Sequence, residues 1–262
     1  MKRSIWTLAK TELRGYFDHP TAYLLAVAFL VLSLFLSFRT MYASGAASLR
    51  PFFDLLPILF AVFIPAATMR SLAEERRSGT LEWLNANPIQ EMEVVLGKFL
   101  GDWLFVMVAL GCSIPTALAL LMVSEADFGI ILAQYVGAAL LAAQLVALGL
   151  WASSMTRNQI SAFIVAAGLS FLLFLIGLPV VQIGLPPLLS GALARLSLVS
   201  HFQNVARGVV DLREVLYFLS TGGLFLALTV AVLVKDRLSH GRADYRRLRM
   251  GAGLAAVLVL IL

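Results

Sequence analysis

Charged side chains concentrate in one segment of the chain, residues 70–98, which reads RSLAEERRSGTLEWLNANPIQEMEVVLGK. It holds nine charged residues of both signs, namely Arg70, Glu74, Glu75, Arg76, Arg77, Glu82, Glu91, Glu93 and Lys98. Alternating acids and bases suit a specific protein partner, because complementary charges in a groove fix orientation and register. A solvated loop whose charges only orient the chain in a membrane would give the same pattern. The segment by itself leaves both interpretations open.

Residue types that carry out catalysis are not arranged in a known motif. The chain has no phosphate-binding loop of the form G-x-x-x-x-G-K-[ST], so any ATP chemistry must come from another polypeptide. His19, His201 and His240 are far apart and lack a partner at helical spacing, so we predict interfacial or loop histidines and no metal site. The single cysteine, Cys112, excludes an intramolecular disulfide. We predict a chain that is not an enzyme, with no catalytic residue and no cofactor of its own.

Carboxylates inside apolar segments are another indicator of function, because burying them is costly. Only Asp54 and Asp102 qualify, and each is expected within about one turn of the end of its segment, where water reaches it. A proton-coupled carrier would more typically place such a group near the middle of the membrane. Gln134 and Gln144 could line a path, but hydrogen bonding between helices is the favoured role.

Composition determines which elements position these residues. The hydrophobic fraction is 60%, only 13% of residues are charged, and the mean hydropathy is +0.90, which is too apolar for one soluble core. A membrane core of roughly 30 Å requires about 20 apolar residues in a helix. Six runs meet this requirement: 20–38, 51–69, 99–123, 128–152, 160–180 and 215–234. Because they are apolar on all sides, the predicted fold class is an all-α integral membrane protein rather than a barrel.

Lysine and arginine positions predict the orientation of these spans. With the N-terminus in the cytoplasm, the inside segments hold 15 of these residues and the outside segments hold five. This split places segment 70–98 in the cytoplasm. The net charge of +5 lies beside the spans, as expected at an anionic leaflet, so we do not expect nucleic-acid binding.

Residues 1–19 have the periodicity of an amphipathic helix. Their apolar positions recur at helical spacing, at Ile5, Leu8, Ala9, Leu13 and Phe17. This pattern predicts an interfacial helix on the cytoplasmic surface, although an ordinary basic flank that sets topology fits the stretch equally well.

Within segment 70–98 we predict two short helices joined at Ser78-Gly79-Thr80 and lying across the cytoplasmic ends of spans two and three. Gly79 is expected to end the first helix, Thr80 to cap the second, and Pro88 to close the second. The apolar residues expected to anchor the segment to the membrane surface are Leu72, Leu81, Trp83 and Leu84.

Three further segments lie at or beyond the end of the fifth span. The apolar stretch before the sixth span is interrupted by glycine and proline, which predicts re-entrant or interfacial helices. Residues 235–250 are interpreted as a basic cytoplasmic linker. Residues 251–262 form an apolar run too short to cross the membrane, so we expect the natural chain to continue and complete a seventh span.

Two sequence runs resemble a known family. The run AEERRSGTLEWLNANPIQEMEVVLGKFLG, residues 73–101, resembles the segment after the second span of ABC-2 type transporter permeases, where E-E-x-x-x-G-T-L-E precedes a proline and V-L-G-K. The run SHFQNVARGVVDLREVLYFLS, residues 200–220, resembles the segment before the sixth span in the gliding-motility-associated branch. The final apolar run departs from the six-span pattern and suggests fusion to an auxiliary subunit with an extracytoplasmic domain.

The resemblance implies a six-span permease domain at residues 20–234 in a bacterial inner membrane. Such a permease would form a homodimer or heterodimer and seat two cytoplasmic ATP-binding cassette subunits, which bind the ATP and Mg²⁺. Residues 1–19 would be its connecting helix and segment 70–98 its coupling segment. The residues implied to contact the ATPase or to shape that contact are Glu74, Glu75, Arg76, Arg77, Gly79, Thr80 and Glu82.

Two alternatives belong to other functional classes. A membrane scaffold without transport activity could recruit a cytoplasmic protein through segment 70–98. An ion-coupled carrier would require internal repeats and broken spans, which the sequence does not show. The aliphatic spans are compatible with a lipid-linked or amphiphilic substrate and equally with none.

Overall fold

The computed structural model describes residues 2–45, 48–80, 90–124, 127–183 and 195–239, together with residues 186, 191 and 193. All regular secondary structure in these residues is helical. The helices are α1 (Lys2–Phe17), α2 (Pro20–Ser44), α3 (Arg50–Thr68), α4 (Ala73–Ser78), α5 (Glu91–Gly111), α6 (Ile114–Val123), α7 (Phe128–Met155), α8 (Gln159–Ile176), α9 (Pro179–Gln182), α10 (Leu198–Ala206) and α11 (Leu212–Ser239). The predicted all-α fold class is therefore confirmed, and the expected linker from residue 240 and the run 251–262 lie outside the described residues.

Within the described residues, six stretches are long and apolar enough to cross a membrane, as predicted. They are Pro20–Ser44, Arg50–Ser78, Glu91–Val123, Phe128–Met155, Gln159–Ile176 and Leu212–Asp236. The helix of the third span starts at Glu91, before the predicted apolar run that begins at residue 99, because α5 extends beyond its apolar part as a regular helix. Lys98 lies just before the hydrophobic run, and carboxylates of other helices neutralise its charge. The helix can therefore begin before the hydrophobic run begins.

The bundle is built around α7, which packs against α3, α5, α8, α10 and α11. Small side chains on α7 allow this close packing, since Ala138, Ala142, Ala147 and Ala152 are fully buried. In contrast, α2 and α8 expose many large apolar side chains, including Leu24, Phe35 and Ile164. In a membrane protein such surfaces are solvated by lipid tails.

Prolines divide one span but not another. The third span is interrupted at Cys112 and Ser113, and α6 starts immediately afterwards with Pro115 in its first turn. Pro57 and Pro65, in contrast, lie inside a continuous α3. Proline lacks a backbone donor and is best tolerated in the first turn of a helix, which explains the position of the break at Pro115.

At the end of the bundle opposite α4, the segment before the sixth span contains α10, whose apolar side chains pack into the core. His201 is buried there and pairs with Glu214 through Nδ1, while Asn204 donates to the same carboxylate at 2.9 Å. His201 therefore lies in a helix rather than in a loop, where the buried carboxylate of Glu214 fixes it in a contact between two helices. The Gln134 side chain donates to the Ala206 carbonyl oxygen at 3.0 Å, which confirms the favoured helix-to-helix role for that glutamine.

Candidate functional site

The polar segment after α3 begins with a tight turn attached to α7. The Ser153 hydroxyl oxygen of α7 accepts hydrogen bonds from the backbone N–H groups of Leu72 and Ala73, at 3.1 Å and 3.0 Å. It also donates to the Met69 carbonyl oxygen at 3.1 Å. The first N–H groups of a helix have no partner within the helix, so this one hydroxyl stabilises the start of α4. The prediction that Leu72 contacts the membrane surface is wrong, because its side chain is fully buried in the protein core.

The short helix α4 ends where the sequence predicts. Gly79 follows Ser78 with a φ of 75°, in the left-handed region that glycine adopts without strain. The Thr80 hydroxyl lies 2.9 Å from the Ser78 hydroxyl and thus contacts the helix that it follows. The predicted second helix, including Glu82 and Pro88, lies outside the described residues.

Three consecutive side chains of α4 contact three different spans. Glu74 accepts a hydrogen bond from the Gln159 side chain at the start of α8, and Arg76 forms an ion pair with Asp236 of α11. Between them, the Glu75 carboxylate lies 2.8 Å from the Lys98 ammonium of α5. The side chains of Arg77 and Thr80 are exposed to solvent. One side of α4 therefore bonds to the bundle, and on the other side Arg77 and Thr80 are exposed among the described residues.

Lys98 links α4 to the N-terminal helix. Its side chain is only 6% exposed, and its ammonium nitrogen lies 3.0 Å from a carboxylate oxygen of Glu12 in α1 as well as beside Glu75. Desolvating a lysine is unfavourable unless it has counter-ions, and two carboxylates supply them here. Glu12 was not among the residues implied by the sequence, because nothing local indicates a partner 86 residues away.

One turn further along α5, Asp102 forms a second buried polar contact. Its carboxylate accepts hydrogen bonds from the Tyr16 hydroxyl at 2.9 Å and the Ser71 hydroxyl at 2.8 Å. The side chain is fully buried, so the prediction that water reaches Asp102 is wrong. Desolvation raises the pKa of Tyr16 well above its usual value, and the nearby carboxylates of Asp102 and Glu12 raise it further. Tyr16 therefore remains a neutral hydrogen-bond donor to this carboxylate.

Two glycines allow α1 to approach α5. A Cβ atom at Gly97 would lie 2.6 Å from the Leu8 Cβ, and one at Gly101 would lie 2.6 Å from the Glu12 Cβ. The spacing G-x-x-x-G is a known signal for close helix packing, and it was present in the sequence. The helix α1 has much of its apolar face in contact with α5, while Trp6 is 61% exposed.

Together these contacts form a polar cluster, which we call the α4 cluster: Glu12, Tyr16, Ser71, Glu75, Lys98 and Asp102. Among the described residues, no three His, Cys, Asp or Glu side chains are arranged to hold a metal ion. The cluster joins α1, α4 and α5 through charge pairs and hydrogen bonds. Such a cluster suits the mechanical connection of a surface helix to spans.

Residues 25–262 match the protein family described as ABC-2 family transporter protein. The chain belongs to this family. The six apolar stretches found in the described part of the chain agree with a multi-pass membrane protein and with the permease component of a transporter. Members of the family are generally not catalytic and associate with separate ATP-binding cassette ATPase subunits. No curated protein matches the chain.

Proposed function

We propose that this chain is the transmembrane permease subunit of an ATP-binding cassette transporter, with α4 as the helix that receives movement from the ATPase. The observation that carries the proposal is the two-sided environment of α4. Its residues Glu74, Glu75 and Arg76 bond to three spans, whereas Arg77 is exposed. A partner that moves the exposed side would therefore displace α5, α8 and α11 together.

In this proposal ATP binding closes the ATPase dimer, and the helices rock as packed bodies rather than bending individually. The movement ends at the opposite face, near α10, where it opens an export path or transmits force. The ATPase binds the nucleotide and Mg²⁺ and hydrolyses ATP, and this chain forms the export path or transmits the force. Homodimeric or heterodimeric association of two permeases would provide a seat for two ATPase subunits.

The proposed orientation places α4 and the N-terminus in the cytoplasm of a bacterial cell, with the spans in the inner membrane. The 15 to five distribution of lysine and arginine supports it. Residues 200–220 support assignment to the gliding-motility-associated branch, in which the work done is mechanical. In the structure this run contains most of α10 and the start of α11, which are held together by His201, Asn204 and Glu214.

The test must separate the partner surface from the internal contacts of α4. Reversing all four charges of residues 74–77 would also break the contacts to Gln159, Lys98 and Asp236, so a loss of binding would be ambiguous. Arg77→Glu changes the exposed side alone, and Arg157→Glu, in the exposed turn between α7 and α8, is a matched control.

We expect the ATPase subunits that co-purify with the wild-type full chain to be lost with Arg77→Glu and retained with Arg157→Glu. Reversal of a charge at the centre of an interface places like charges together, which weakens binding strongly. Equal recovery of ATPase with both variants would contradict the role of α4. ATPase binding without any stimulation of ATP hydrolysis by the wild-type chain would instead support the scaffold alternative.

A further inference from the structure

Two adjoining cavities lie beside the α4 cluster, and they share Tyr16 and Arg70 as lining residues. The first, of about 290 Å³, is lined mainly by polar and charged residues, including Glu12, Glu74 and Glu75, and we call it the polar cavity. The second, of about 190 Å³, lies between α2 and α3, where mainly small or apolar side chains line it: Ala22, Leu25, Ala66, Ala67 and Met69. A cavity lined by charged groups next to an apolar cavity between two spans matches the two parts of a phospholipid, its headgroup and its acyl chain.

The guanidinium of Arg70 lies where the two cavities meet. Its contacts are weak: Nη1 is 3.4 Å from the Thr21 hydroxyl, and the guanidinium carbon is 5.4 Å from the centre of the Tyr16 ring. Within the described residues, no carboxylate lies within 4 Å of it, whereas Lys98 has two such partners. Arg70 is half-buried, and a guanidinium in such a position is stabilised by an anion that accepts its hydrogen bonds in pairs.

The polar cavity also favours a positively charged group, in addition to the anion favoured by Arg70. Its lining contains three carboxylates, Glu12, Glu74 and Glu75, against two fixed cations, Arg70 and Lys98. Glu74 lies one helical turn after Arg70, because its backbone N–H donates to the Arg70 carbonyl oxygen at 3.2 Å. The two side chains do not form an ion pair with each other, so an anion at Arg70 and a cation near Glu74 would complement both.

We propose that these cavities bind one phospholipid with a phosphoethanolamine headgroup. The phosphate accepts hydrogen bonds from Arg70, the primary ammonium lies toward Glu74, and the first carbons of one acyl chain occupy the apolar cavity between α2 and α3. A headgroup with only negative charge would add to the excess of carboxylates. A choline headgroup would keep the positive charge but could not donate hydrogen bonds to Glu74.

Native mass spectrometry of the purified, delipidated full chain tests this site without any ATPase, so its result is independent of the proposed function. The probes are phosphatidylethanolamine, phosphatidylglycerol and phosphatidylcholine with identical acyl chains, together with water-soluble glycerophosphoethanolamine. We expect one phosphatidylethanolamine to bind about tenfold more tightly than either other lipid. The soluble headgroup should compete only weakly, since it lacks the acyl chain.

Variants identify the residues responsible. Arg70→Gln should weaken binding of all three lipids about tenfold, whereas Arg157→Gln, which lines neither cavity, should leave it unchanged. Glu74→Gln should remove the preference for ethanolamine over choline. Ala66→Phe fills the apolar cavity and should abolish tight lipid binding while Arg70 stays in place, and a melting temperature near that of the wild type verifies its fold.

Equal lipid affinities for Arg70→Gln and Arg157→Gln would overturn the proposal, as would unchanged binding by Ala66→Phe. Competition by glycerophosphoethanolamine at the same concentration as the lipid would assign the site to a soluble phosphodiester and overturn the lipid assignment. Equal binding of the three lipids by the wild type would overturn the headgroup assignment. Should Arg70→Gln fail to fold, Ala66→Phe and Glu74→Gln decide the question.

Discussion

Removing the ammonium of Lys98 should destabilise the protein more than any other single charge change near α4. Lys98→Met keeps most of the side-chain stem but leaves Glu12 and Glu75 without the cation that they share at 3.0 Å and 2.8 Å. Breaking a buried ion pair costs about 3 to 5 kcal/mol. The side chains of Glu12 and Glu75 are each 24% exposed, so water partly solvates the carboxylates that lose their cation. We therefore expect a loss at the low end of this range, about 3 kcal/mol.

For a chain of this length, a loss of about 3 kcal/mol corresponds to a melting temperature lower by about 6 to 12 °C. The assay is thermal unfolding of the full chain in one detergent, with Lys10→Met on the exposed side of α1 as a control that should change little. The triple variant Glu12→Gln, Glu75→Gln and Lys98→Met should recover most of the stability, because no unpaired charge remains. A melting temperature lowered by less than about 2 °C in Lys98→Met, or no recovery of stability in the triple variant, would refute the reasoning.

Two further predictions concern packing and the start of α4. Gly101→Ala should destabilise the protein by about 1 to 3 kcal/mol in thermal unfolding, because the added Cβ would overlap α1. The control is Gly111→Ala in the same helix. Its added Cβ meets nothing within 4 Å, so this substitution should be neutral or slightly stabilising. Equal effects of the two substitutions would exclude close packing of α1 on α5. Ser153→Ala should cost about 1 to 3 kcal/mol, because two backbone N–H groups lose their acceptor, and it should increase proteolysis near α4. Ser154→Ala is the control, since the Ser154 hydroxyl donates to the Trp151 carbonyl oxygen within its own helix. If α4 is equally protected from proteolysis in both variants, the role of Ser153 is contradicted.

The spans and the end of α4 could be predicted from the sequence because their causes are local. About 20 consecutive apolar residues are enough to identify a membrane-crossing helix, whatever the rest of the chain does. Gly79 likewise ends α4 because glycine adopts a positive φ without strain, which depends only on the residue itself. The helix of the third span starts eight residues before the predicted apolar run, which hydropathy cannot reveal because it does not show that Lys98 has counter-ions.

The partners within the α4 cluster could not be predicted, because they lie far apart in sequence. Tyr16 and Asp102 are 86 residues apart, and Ser71 and Asp102 are 31 apart. Without these donors, a carboxylate near a span end is reasonably assigned to water, and that assignment failed for Asp102. The spacing of Gly97 and Gly101 was the one sequence signal for this contact, because glycines four residues apart in an apolar helix indicate a close neighbour.

The bonding of α4 limits how it can move relative to the bundle. A displacement of α4 away from α5 would separate Glu75 from Lys98, and a displacement away from α7 would remove the acceptor of two backbone N–H groups at Ser153. Each separation costs a few kcal/mol, because it leaves a buried charge or donor without a partner. Moving α1, α5 and α7 together with α4 breaks neither contact, and the glycine packing already holds α1 and α5 as one unit. Glu74 and Arg76 likewise hold α8 and α11, so a force on the exposed side of α4 is transmitted at lowest cost as a joint movement of the helices that α4 contacts.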